Sequence, residues 1–584
     1  MSAVVEAREP SAKYLSALQP PLVQQFDLLA TAPGGVAKLR ELILTLAVQG
    51  KLVPQDAQDE PASEWLKKMQ EERERLVATK RIRRSKPLTP VKESEYLFDL
   101  PRGWEWERLG NLGDWGAGAT PSRANSSYYG GRIPWFKSGE LTADFISESE
   151  ETVTDKALSE CSLRLNAAGD VLLAMYGATI GKTSILSVPA TTNQAVCACT
   201  PYGGLSNTYL LLLMKALKPY FISIGAGGAQ PNISREKVIA TVVGLPPLTE
   251  QARIVTRVEE LMRLCDALET QGQLEAAQHA QLVQTLLGAL TGSTSPDELA
   301  DNWQRVATHF DLLLDRPEAI DALEQTILQL AVRGLLVPQD PKDEPASELL
   351  KKIRAEKDRL IAEGRIKPDK PLADIADEEI PFEAPQSWVW ARLGEVVSIS
   401  SGITLGRKTA IPAPVSYPYL RVANVQRWHL NLSSMKEVVI DRSELARFQL
   451  AKGDLLITEG GDWDKVGRTT IWRDELPVCL HQNHVFKARG MTAEWNAIWA
   501  ELYLNSTVAR AYFASSAKQT TNLASINMTQ LKGCVFPLPP LAEQSRIVTR
   551  VESLRRLCAD LRQRLAARQT TQAHLAEALI DEVA

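Results

Sequence analysis

Apolar residues recur at heptad spacing in two widely separated stretches of the chain. Successive positions are four or three residues apart, about 3.5 on average, which predicts a narrow apolar stripe along a helix. A single helix of this kind is expected to lie on its own domain. Two helices with the same seam favour a coiled coil in which they meet each other. The seam positions are Ile254, Val258, Leu261, Cys265 and Leu268 in the first helix, and Ile547, Val551, Leu554, Cys558, Leu561 and Leu565 in the second.

Both heptad helices follow the same break in the sequence. Segments 245–259 and 538–552 share the pattern Leu-Pro-Pro-Leu-x-Glu-Gln, and the proline pair bars the preceding residues from a helix. We expect Thr249 to cap the first helix, whereas alanine at the matching position cannot cap the second. Glu250 and Glu543 would each place a carboxylate in the positive first turn.

The breaks belong to a much longer internal repeat. Three frame segments recur at an offset of 284 residues (385 − 101), whereas the proline pairs are offset by 293 (539 − 246). The intervening segment is therefore nine residues longer in the second half (293 − 284). A period of this length indicates a doubled domain rather than a solenoid. The matching segments are 46–56 with 330–340, 60–64 with 344–348, and 101–110 with 385–394.

A constant helical frame therefore alternates with two diverged inserts. Apolar helical faces end at Gly50 and Gly334, and a second frame helix is expected near 60–80 and again near 344–363. The predicted segments are a helical region 1–103, the first insert 104–245, a spacer helix and linker 246–306, a second helical region 307–387, the second insert 388–538 and a final helix 539–584.

The inserts have the pattern of mixed α/β domains. Strands are expected at 169–176 and 453–459, each after a Gly-Asp turn. Helices are expected at 206–218 and 492–514. The predicted fold class is mixed α/β, with two globular α/β domains joined by long helices in an internal repeat.

Composition indicates the class of protein and the compartment in which it is expected. The chain has 584 residues, of which 44% are hydrophobic and 23% charged, as in an ordinary well-packed protein of several domains. A net charge of −5 excludes a simple polycation. The N-terminus has no apolar signal core, and the most apolar run, 209–214, is too short for a bilayer. With seven cysteines in no paired framework, we expect a cytoplasmic protein without a membrane partner.

One loop has a pattern close to that of a phosphate-binding loop. Gly177–Thr183 reads Gly-Ala-Thr-Ile-Gly-Lys-Thr, one residue short of the nucleotide-binding pattern, and its counterpart 461–469 is one residue too long. A backbone cradle for phosphate does not accommodate such length changes. A strand-to-strand loop that offers Lys182 or Arg468 to DNA is favoured over the alternative, a duplicated nucleotide-driven enzyme.

Other catalytic or metal chemistry has little support in the sequence. Cys479, His481 and His484 form the densest group of potential ligands, but in a strand the two histidines would point to opposite faces. The sequence contains no convincing nucleophile, paired-carboxylate or methyltransferase motif. We therefore expect no catalytic residue, no metal site and no cofactor in this chain.

The doubled order of these pieces resembles the specificity subunit of type I restriction–modification enzymes. Two variable domains, each followed by the Leu-Pro-Pro-Leu-x-Glu-Gln break and a heptad helix, carry the resemblance over nearly the whole chain after about residue 23. Pieces of the first insert that resemble target-recognition domains are 118–122, 133–136, 169–172 and 177–182. The second insert departs from them at 400–404, which lacks Thr-Pro-Ser.

The resemblance implies a non-catalytic DNA-binding subunit. Each recognition domain would read one half of a bipartite double-stranded DNA target. The conserved helices would form an antiparallel coiled coil that sets the gap and docks two modification subunits, which methylate adenine with S-adenosylmethionine. Motor-nuclease subunits, using ATP and magnesium, would join for cleavage. A protein-binding scaffold is a further alternative.

Candidate DNA-contacting residues come from the polar loops and strand ends of the inserts. Lys137 and Arg421 occupy matching positions after an aromatic strand, and alternation would aim each cation to the same face as the aromatic residue two positions before it. Arginine and lysine are the usual readers of guanine edges. An exposed cation beside a core aromatic is an equally open explanation. The full set is Arg123, Tyr128, Tyr129, Arg132, Lys137, Lys182, Arg407, Lys408, Arg421, Asn424, Lys465 and Arg468.

Overall fold

The computed structural model describes residues 29, 32–84, 86–225, 231–368, 370–406, 411–461, 465–520 and 523–583. The chain divides into two units, Met1–Glu275 with Arg568–Ala584, and Ala276–Ala567. Each unit contains one insert together with its helical frame, and frame and insert share a single large core. The predicted segments are thus packed as two units, because frame helices and insert bury their apolar faces together.

The first unit begins with frame helices and continues into the first insert. Its helices are α1 (Gly35–Val48), α2 (Ala62–Ala78), α3 (Asp155–Glu160), α4 (Asn207–Ala216), α5 (Lys218–Ser223), α6 (Arg235–Ala240) and the start of α7 (Leu248–Gly292). Its strands are β1 (Glu105–Arg108), β2 (Gly113–Ala117), β3 (Tyr129–Phe136), β4 (Phe145–Ile146), β5 (Thr152–Val153), β6 (Val171–Ala174), β7 (Thr183–Leu186), β8 (Thr191–Thr192), β9 (Val196–Pro201) and β10 (Val242–Leu245).

The second unit contains the last part of α7, from Ala276, and then repeats this order. Its helices are α8 (Pro296–Thr308), α9 (Phe310–Leu313), α10 (Pro317–Val332), α11 (Ala346–Ala362), α12 (Leu393–Val396), α13 (Leu445–Phe448), α14 (Ala497–Leu504), α15 (Thr507–Ser516), α16 (Met528–Gly533) and most of α17 (Leu541–Val583). Its strands are β11 (Val389–Arg392), β12 (Val397–Ser400), β13 (Pro414–Leu420), β14 (Lys436–Asp441), β15 (Leu455–Thr458), β16 (Gly460–Gly461), β17 (Thr469–Ile471), β18 (Leu480–His481), β19 (Val485–Gly490), β20 (Lys518–Thr520), β21 (Leu523–Ser525) and β22 (Val535–Leu538).

The two inserts contain equivalent pairs of sheets. In the first insert the strand orders are β2-β9-β6-β7-β4 and β5-β3-β8, and in the second they are β12-β19-β15-β17 and β14-β13-β18. The pairing of β3 with β8 is parallel, and so is that of β13 with β18. The first insert adds β4 at one edge, and the second adds the small sheet β16-β21-β20. The duplication in the sequence is therefore also a duplication of sheet topology.

Each insert is closed at its base by its own first and last strands. Strand β1 pairs antiparallel with β10, from Glu105 opposite Leu245, and β11 pairs with β22, from Val389 opposite Leu538. These pairs lie at the sequence limits expected for the inserts. An insert that starts and ends on neighbouring strands can diverge without moving the frame.

A buried arginine fixes each of these base strands to the frame. Arg108 donates to both carboxylate oxygens of Glu95, at 2.9 and 2.8 Å, and to the carbonyl oxygens of Thr89 and Ala240. Its counterpart Arg392 binds Glu379 in the same way, at 2.8 and 2.7 Å, and also donates to neighbouring carbonyls. The Arg392 guanidinium lowers the pKa of Glu379 to about 2. The same anchor therefore holds both repeats.

The long helices begin where the proline pairs predict, but the predicted cap of the first one is wrong. Thr249 does not cap α7, because that helix already starts at Leu248 and the Thr249 hydroxyl donates to Asp59. Glu250 and Glu543 lie in the first turns of their helices, as predicted. Glu250 is buried there, and accepts hydrogen bonds from the Gln55 amide at 2.8 Å and the Trp104 indole at 3.1 Å. Burial raises the pKa of Glu250. This glutamate therefore anchors the helix to the frame and insert.

The heptad seams pack against frame helices within their own units. The seam from Ile254 to Cys265 is buried in the same core as α1, and Arg40 of α1 pairs with Asp266 at 2.8 Å. Ala576 near the end of α17 joins that core, just as Val283 near the end of α7 joins the core that contains the start of α17. Each unit therefore combines the first turns of one long helix with the last turns of the other, as an antiparallel pair requires. The expectation did not include the frame helix in this packing. Each frame helix packs against the seam because it must bury its own apolar face. The remaining seam positions, Leu268, Leu554, Leu561 and Leu565, are partly buried.

The helices expected near the end of each insert are present in both units. The most apolar run lies in α4, where Tyr209–Met214 is buried. The matching helix of the second insert is divided at Asn505, after which the Ser506 hydroxyl caps α15. Across the described ranges, we find no helix that combines the length and the apolar character needed to cross a bilayer.

Candidate DNA interface

Lys137 and Arg421 occupy equivalent places immediately after strands β3 and β13. Each begins a short turn whose third residue accepts a hydrogen bond from the backbone N–H of the cation. The acceptors are Glu140, at 2.6 Å from the Lys137 nitrogen, and Asn424, at 2.9 Å from the Arg421 nitrogen. The sequence alignment of the two cations is therefore a structural equivalence.

The same turn corrects the prediction for Asn424. This residue is only 1% exposed, and its side-chain amide donates to the carbonyl of Asn431 at 2.8 Å. Both of its polar groups are used inside the chain, so it shapes the turn and offers nothing to DNA in this conformation. The sequence could not distinguish a role in the turn from a contact with DNA, because an asparagine side chain has the donor and acceptor groups that both roles need.

Arg123 stands on an aromatic platform in the first insert. Its guanidinium carbon lies 4.6 Å from the ring centre of Tyr129 and 5.2 Å from that of Trp135. The platform is fixed to the loop before Arg123, because the Tyr129 hydroxyl donates to Pro121 at 2.6 Å and the Trp135 indole to Ala119 at 3.0 Å. Cation–aromatic contact of this kind holds a guanidinium in place. The structure therefore brings together three residues singled out in the sequence, Arg123, Tyr129 and the adjacent Lys137.

A carboxylate that the sequence did not single out joins these cations. Glu151 accepts hydrogen bonds from both terminal nitrogens of Arg123, one of them at 3.1 Å, and lies 3.0 Å from the Lys137 ammonium. Arg123 first, and Lys137 second, lower the pKa of Glu151 to about 2, so it is ionised at neutral pH. Glu150 lies 2.9 Å from Lys137 on its other side. The only sequence signal was an acidic run at 148–151, and nothing in its spacing linked that run to Arg123.

Two further candidates lie on the outer side of strand β3. Arg132 pairs with Asp155 at 3.2 Å, and the Tyr128 hydroxyl donates to Glu160 at 3.1 Å. Both carboxylates belong to the short helix α3. Arg132 is exposed and Tyr128 is half-buried, and both remain predicted candidates for DNA contact.

The loop that resembles a phosphate cradle joins two antiparallel strands. Residues 177–182 connect β6 to its neighbour β7, which pairs with it from Val171 opposite Ile185. A nucleotide cradle needs a helix whose free N–H groups follow the loop. Here a strand follows, which contradicts the nucleotide-enzyme alternative and agrees with a hairpin loop. Lys182 is half-buried, and the described residues give its ammonium no hydrogen-bond or ion-pair partner.

In the corresponding loops of the second insert, Arg421 and Arg468 are held by neutral groups. Arg421 donates to the carbonyl of Ser434 at 2.7 Å, and Arg468 donates to the side-chain oxygen of Gln426 at 2.6 Å. The carbonyl of Lys465 accepts a hydrogen bond from Thr458 at 2.7 Å. The candidates Arg407 and Lys408 lie outside the described residues.

A second contact that the sequence did not reveal joins the second insert to its long helix. The guanidinium of Arg555, on α17, lies 3.8 Å from the ring centre of Trp428. Trp428 has a φ of 70°, which a bulky residue rarely adopts, and lies in the loop that starts at Arg421. Arg555 is also 3.2 Å from Glu324 on α10. The matching residues of the first repeat are Asp144 and Met262, so internal comparison could not have found this pair.

The histidines of the second insert do not share a site. His481 is fully buried, and one ring nitrogen lies 2.7 Å from the carbonyl of Val485. Burial lowers the pKa of His481 to about 4, so it is neutral. His484 is exposed and lies 2.7 Å from Glu459. The expected separation of the two rings is therefore confirmed.

Comparison with known proteins places these features in a family. A family model described as the type I restriction modification DNA specificity domain matches residues 101–278 and 385–568. The specificity subunit of type I restriction enzyme EcoEI from Escherichia coli is 35% identical over 564 residues, which cover 94% of this chain and 93% of that protein. The EcoAI specificity subunit from Escherichia coli is 36% identical over 568 residues, with the same coverage.

One solved structure shows a weaker likeness. The crystal structure of the HsdS subunit from Thermoanaerobacter tengcongensis is 18% identical, covers 84% of this chain and 98% of that chain, and has a TM-score of 0.39. The assignment rests on the family model, whose two matches coincide with the two inserts and the starts of α7 and α17, and on relatives that match from end to end. The chain belongs to the specificity subunits of type I restriction–modification enzymes.

Proposed function

We propose that this chain recognises a bipartite double-stranded DNA target within a type I complex, with each insert reading one half. The observation that carries the proposal is the pair of inserts with equivalent sheet orders and different exposed side chains at equivalent places. Two readers built on one scaffold suit a target with two unlike halves. The candidates Arg123, which is exposed, and Lys137, Arg421 and Arg468, which are half-buried, have side chains that suit base edges and phosphates.

The long helices act in this proposal as spacer and docking elements. Helices α7 and α17 span 45 and 43 residues. At about 1.5 Å per residue, each is long enough to separate two domains by several turns of helix. Two modification subunits dock on the duplicated helical frame, because a partner present twice needs the same surface twice.

The chemistry of the complex belongs to the partner subunits in this proposal. The modification subunits bind S-adenosylmethionine and methylate adenine, and motor-nuclease subunits with ATP and magnesium cleave unmodified DNA. This chain contributes recognition and positioning, without catalytic residues or a cofactor of its own. Its seven free cysteines suit the reducing cytoplasm.

Sequencing of methylated bases tests the proposal. A bacterial host without other methyltransferases would carry this chain with its modification subunit, and its genome would be read for modified adenine. We expect one motif with two specific parts separated by a fixed unspecific gap. An assembled complex that methylates a continuous motif, or that methylates without sequence preference, would contradict two-part recognition.

A further inference from the structure

Glu151 is built into the aromatic platform of the first insert rather than attached to its surface. Its backbone carbonyl accepts a hydrogen bond from the backbone nitrogen of Trp135 at 3.0 Å, and the nearby Ser149 hydroxyl donates to the same carbonyl at 2.6 Å. Its side chain is 31% exposed, against 73% for that of Glu150. The Glu151 carboxylate is therefore held in place between Arg123 and Lys137.

Three candidate cations of the first insert already bind carboxylates in the free protein. Arg123 and Lys137 both bind Glu151, and Arg132 binds Asp155. Within the described residues of the second insert, the partners of Arg421 and Arg468 are neutral oxygen atoms. The position that matches Glu151 at the 284-residue offset is a methionine (151 + 284 = 435). The carboxylate that binds Lys137 therefore has no counterpart at Arg421 among the described residues.

A carboxylate that binds both terminal nitrogens of a guanidinium resembles a DNA phosphate in charge and geometry. Glu151 therefore competes with any phosphate for Arg123 and Lys137. Exposed ion pairs of this kind are weak, and Arg123 is 55% exposed, so DNA that fits the site can displace the carboxylate. When DNA offers only phosphate charge, a phosphate merely replaces the Glu151 carboxylate at Arg123 and Lys137. The net gain in binding free energy is therefore small.

We propose that Glu151 determines specificity by occupying Arg123 and Lys137 until the correct half-site replaces it. This inference rests on the proposed function, because it assigns a role within the DNA interface of the first insert. Glu151 lowers the affinity for non-target DNA and keeps Arg123 on its platform, ready for the target. In the second insert, Arg421 and Arg468 are held instead by the neutral oxygen atoms of Ser434 and Gln426.

The test is Glu151→Gln, which keeps the shape and removes the charge. The full chain, assembled with its modification subunits, is titrated with two duplexes. One has a scrambled sequence, and the other contains the target motif that sequencing of methylated bases identifies. We expect affinity for the scrambled duplex to rise roughly two- to fivefold, the strength of an exposed ion pair. We also expect the slope of log affinity against log salt concentration to become more negative by about one to two. Each additional phosphate that the cations bind contributes about 0.9 to this slope.

Two further variants show the source of the effect. Glu150→Gln removes the same charge, but Glu150 contacts Lys137 and not Arg123. The affinity for the scrambled duplex should therefore rise less than with Glu151→Gln. Arg123→Gln added to Glu151→Gln should cancel most of the increase. Equal effects of Glu150→Gln and Glu151→Gln would overturn the proposal, because a general charge change would explain both.

The other outcomes separate this inference from the proposed function. If the wild-type complex discriminates target from scrambled DNA and Glu151→Gln leaves both affinities unchanged, Glu151 has no such role and the proposed function stands. If Glu151→Gln abolishes binding of the target alone, Glu151 reads a base directly and occupation of the cations is overturned. If the wild-type complex does not discriminate at all, the proposed function falls, and this inference falls with it.

Discussion

The two repeats keep the same buried anchors and differ in how they hold their exposed cations. Glu250 binds Gln55 in the first repeat and Glu543 binds Gln339 in the second, at 2.8 and 2.6 Å. The loops that carry the candidate DNA-contacting cations do not share their contacts in this way. Lys137 is held by the carboxylates of Glu150 and Glu151, whereas its counterpart Arg421 is held by a backbone carbonyl. The buried anchors are therefore constant between the repeats, and the contacts of the cations that we propose to meet DNA are what differs.

A second difference concerns the connection between insert and long helix. In the second unit, Trp428 packs under Arg555 of α17, which ties the loop after Arg421 to the helix. In the first unit the matching residues cannot form that contact, and Asp144 pairs with Lys215 of α4 instead, at 2.5 Å. The repeats therefore position equivalent loops through different contacts.

The largest expected change comes from lengthening one long helix. Residues 269–282 of α7 contain no buried side chain, so four residues inserted after Leu268 should disturb little packing. Four residues add about 6 Å and about 40° beyond a full turn. One base pair adds about 3.4 Å and about 35°. The methylated motif should keep both half-sites and lengthen its gap by one or two base pairs. An unchanged gap in a stably assembled variant would mean that α7 is not the spacer.

The next effect tests the constant frame. Arg392→Ala and Arg108→Ala each remove a buried guanidinium with several hydrogen bonds, and should lower the free energy of unfolding by roughly 2–4 kcal/mol. Denaturant unfolding of the two variants measures this, with Arg556→Ala, an exposed arginine on α17, as control. A large difference between the two losses would contradict equal anchoring of the repeats.

A smaller effect is expected from the matched cations. If they read bases, Lys137→Ala and Arg421→Ala should each weaken recognition of one half-site by roughly 1–3 kcal/mol. Binding to duplexes with one or the other half-site scrambled assigns each cation to its half. A variant with unchanged affinity and unchanged discrimination would remove that cation from the interface, and leave it as an exposed cation beside a core aromatic.

The smallest effect concerns the contact present in one repeat only. Arg555→Met installs the residue of the first repeat and should lower the free energy of unfolding by about 1–2 kcal/mol, the value of a desolvated cation–aromatic contact. Discrimination at the half-site read by the second insert should fall, and the other half-site should be unaffected. An equal loss at both half-sites would contradict a local role for Trp428 and Arg555.

Patterns that repeat along the chain could be predicted from the sequence, because both copies obey the same local rules. The frame helices, the strands after Gly-Asp turns and the mixed α/β class with long helices are confirmed. Thr249 and Asn424 were misassigned because each side chain found a partner that local spacing does not reveal. Glu151 was missed for the same reason, since it meets Arg123 across 28 positions.

Exchange of the first insert tests the central claim most directly. Residues 104–244 would be replaced by the insert of another specificity subunit. The first join precedes β1 by one residue, and the second lies before the last residue of β10, so the exchanged segment brings its own pair of closing strands. The measurement is the methylated motif of a host that carries the chimera and its modification subunit. Independent reading predicts that one half of the motif changes while the other half and the gap stay the same. A folded and assembled chimera that alters both halves, or neither, would contradict the account.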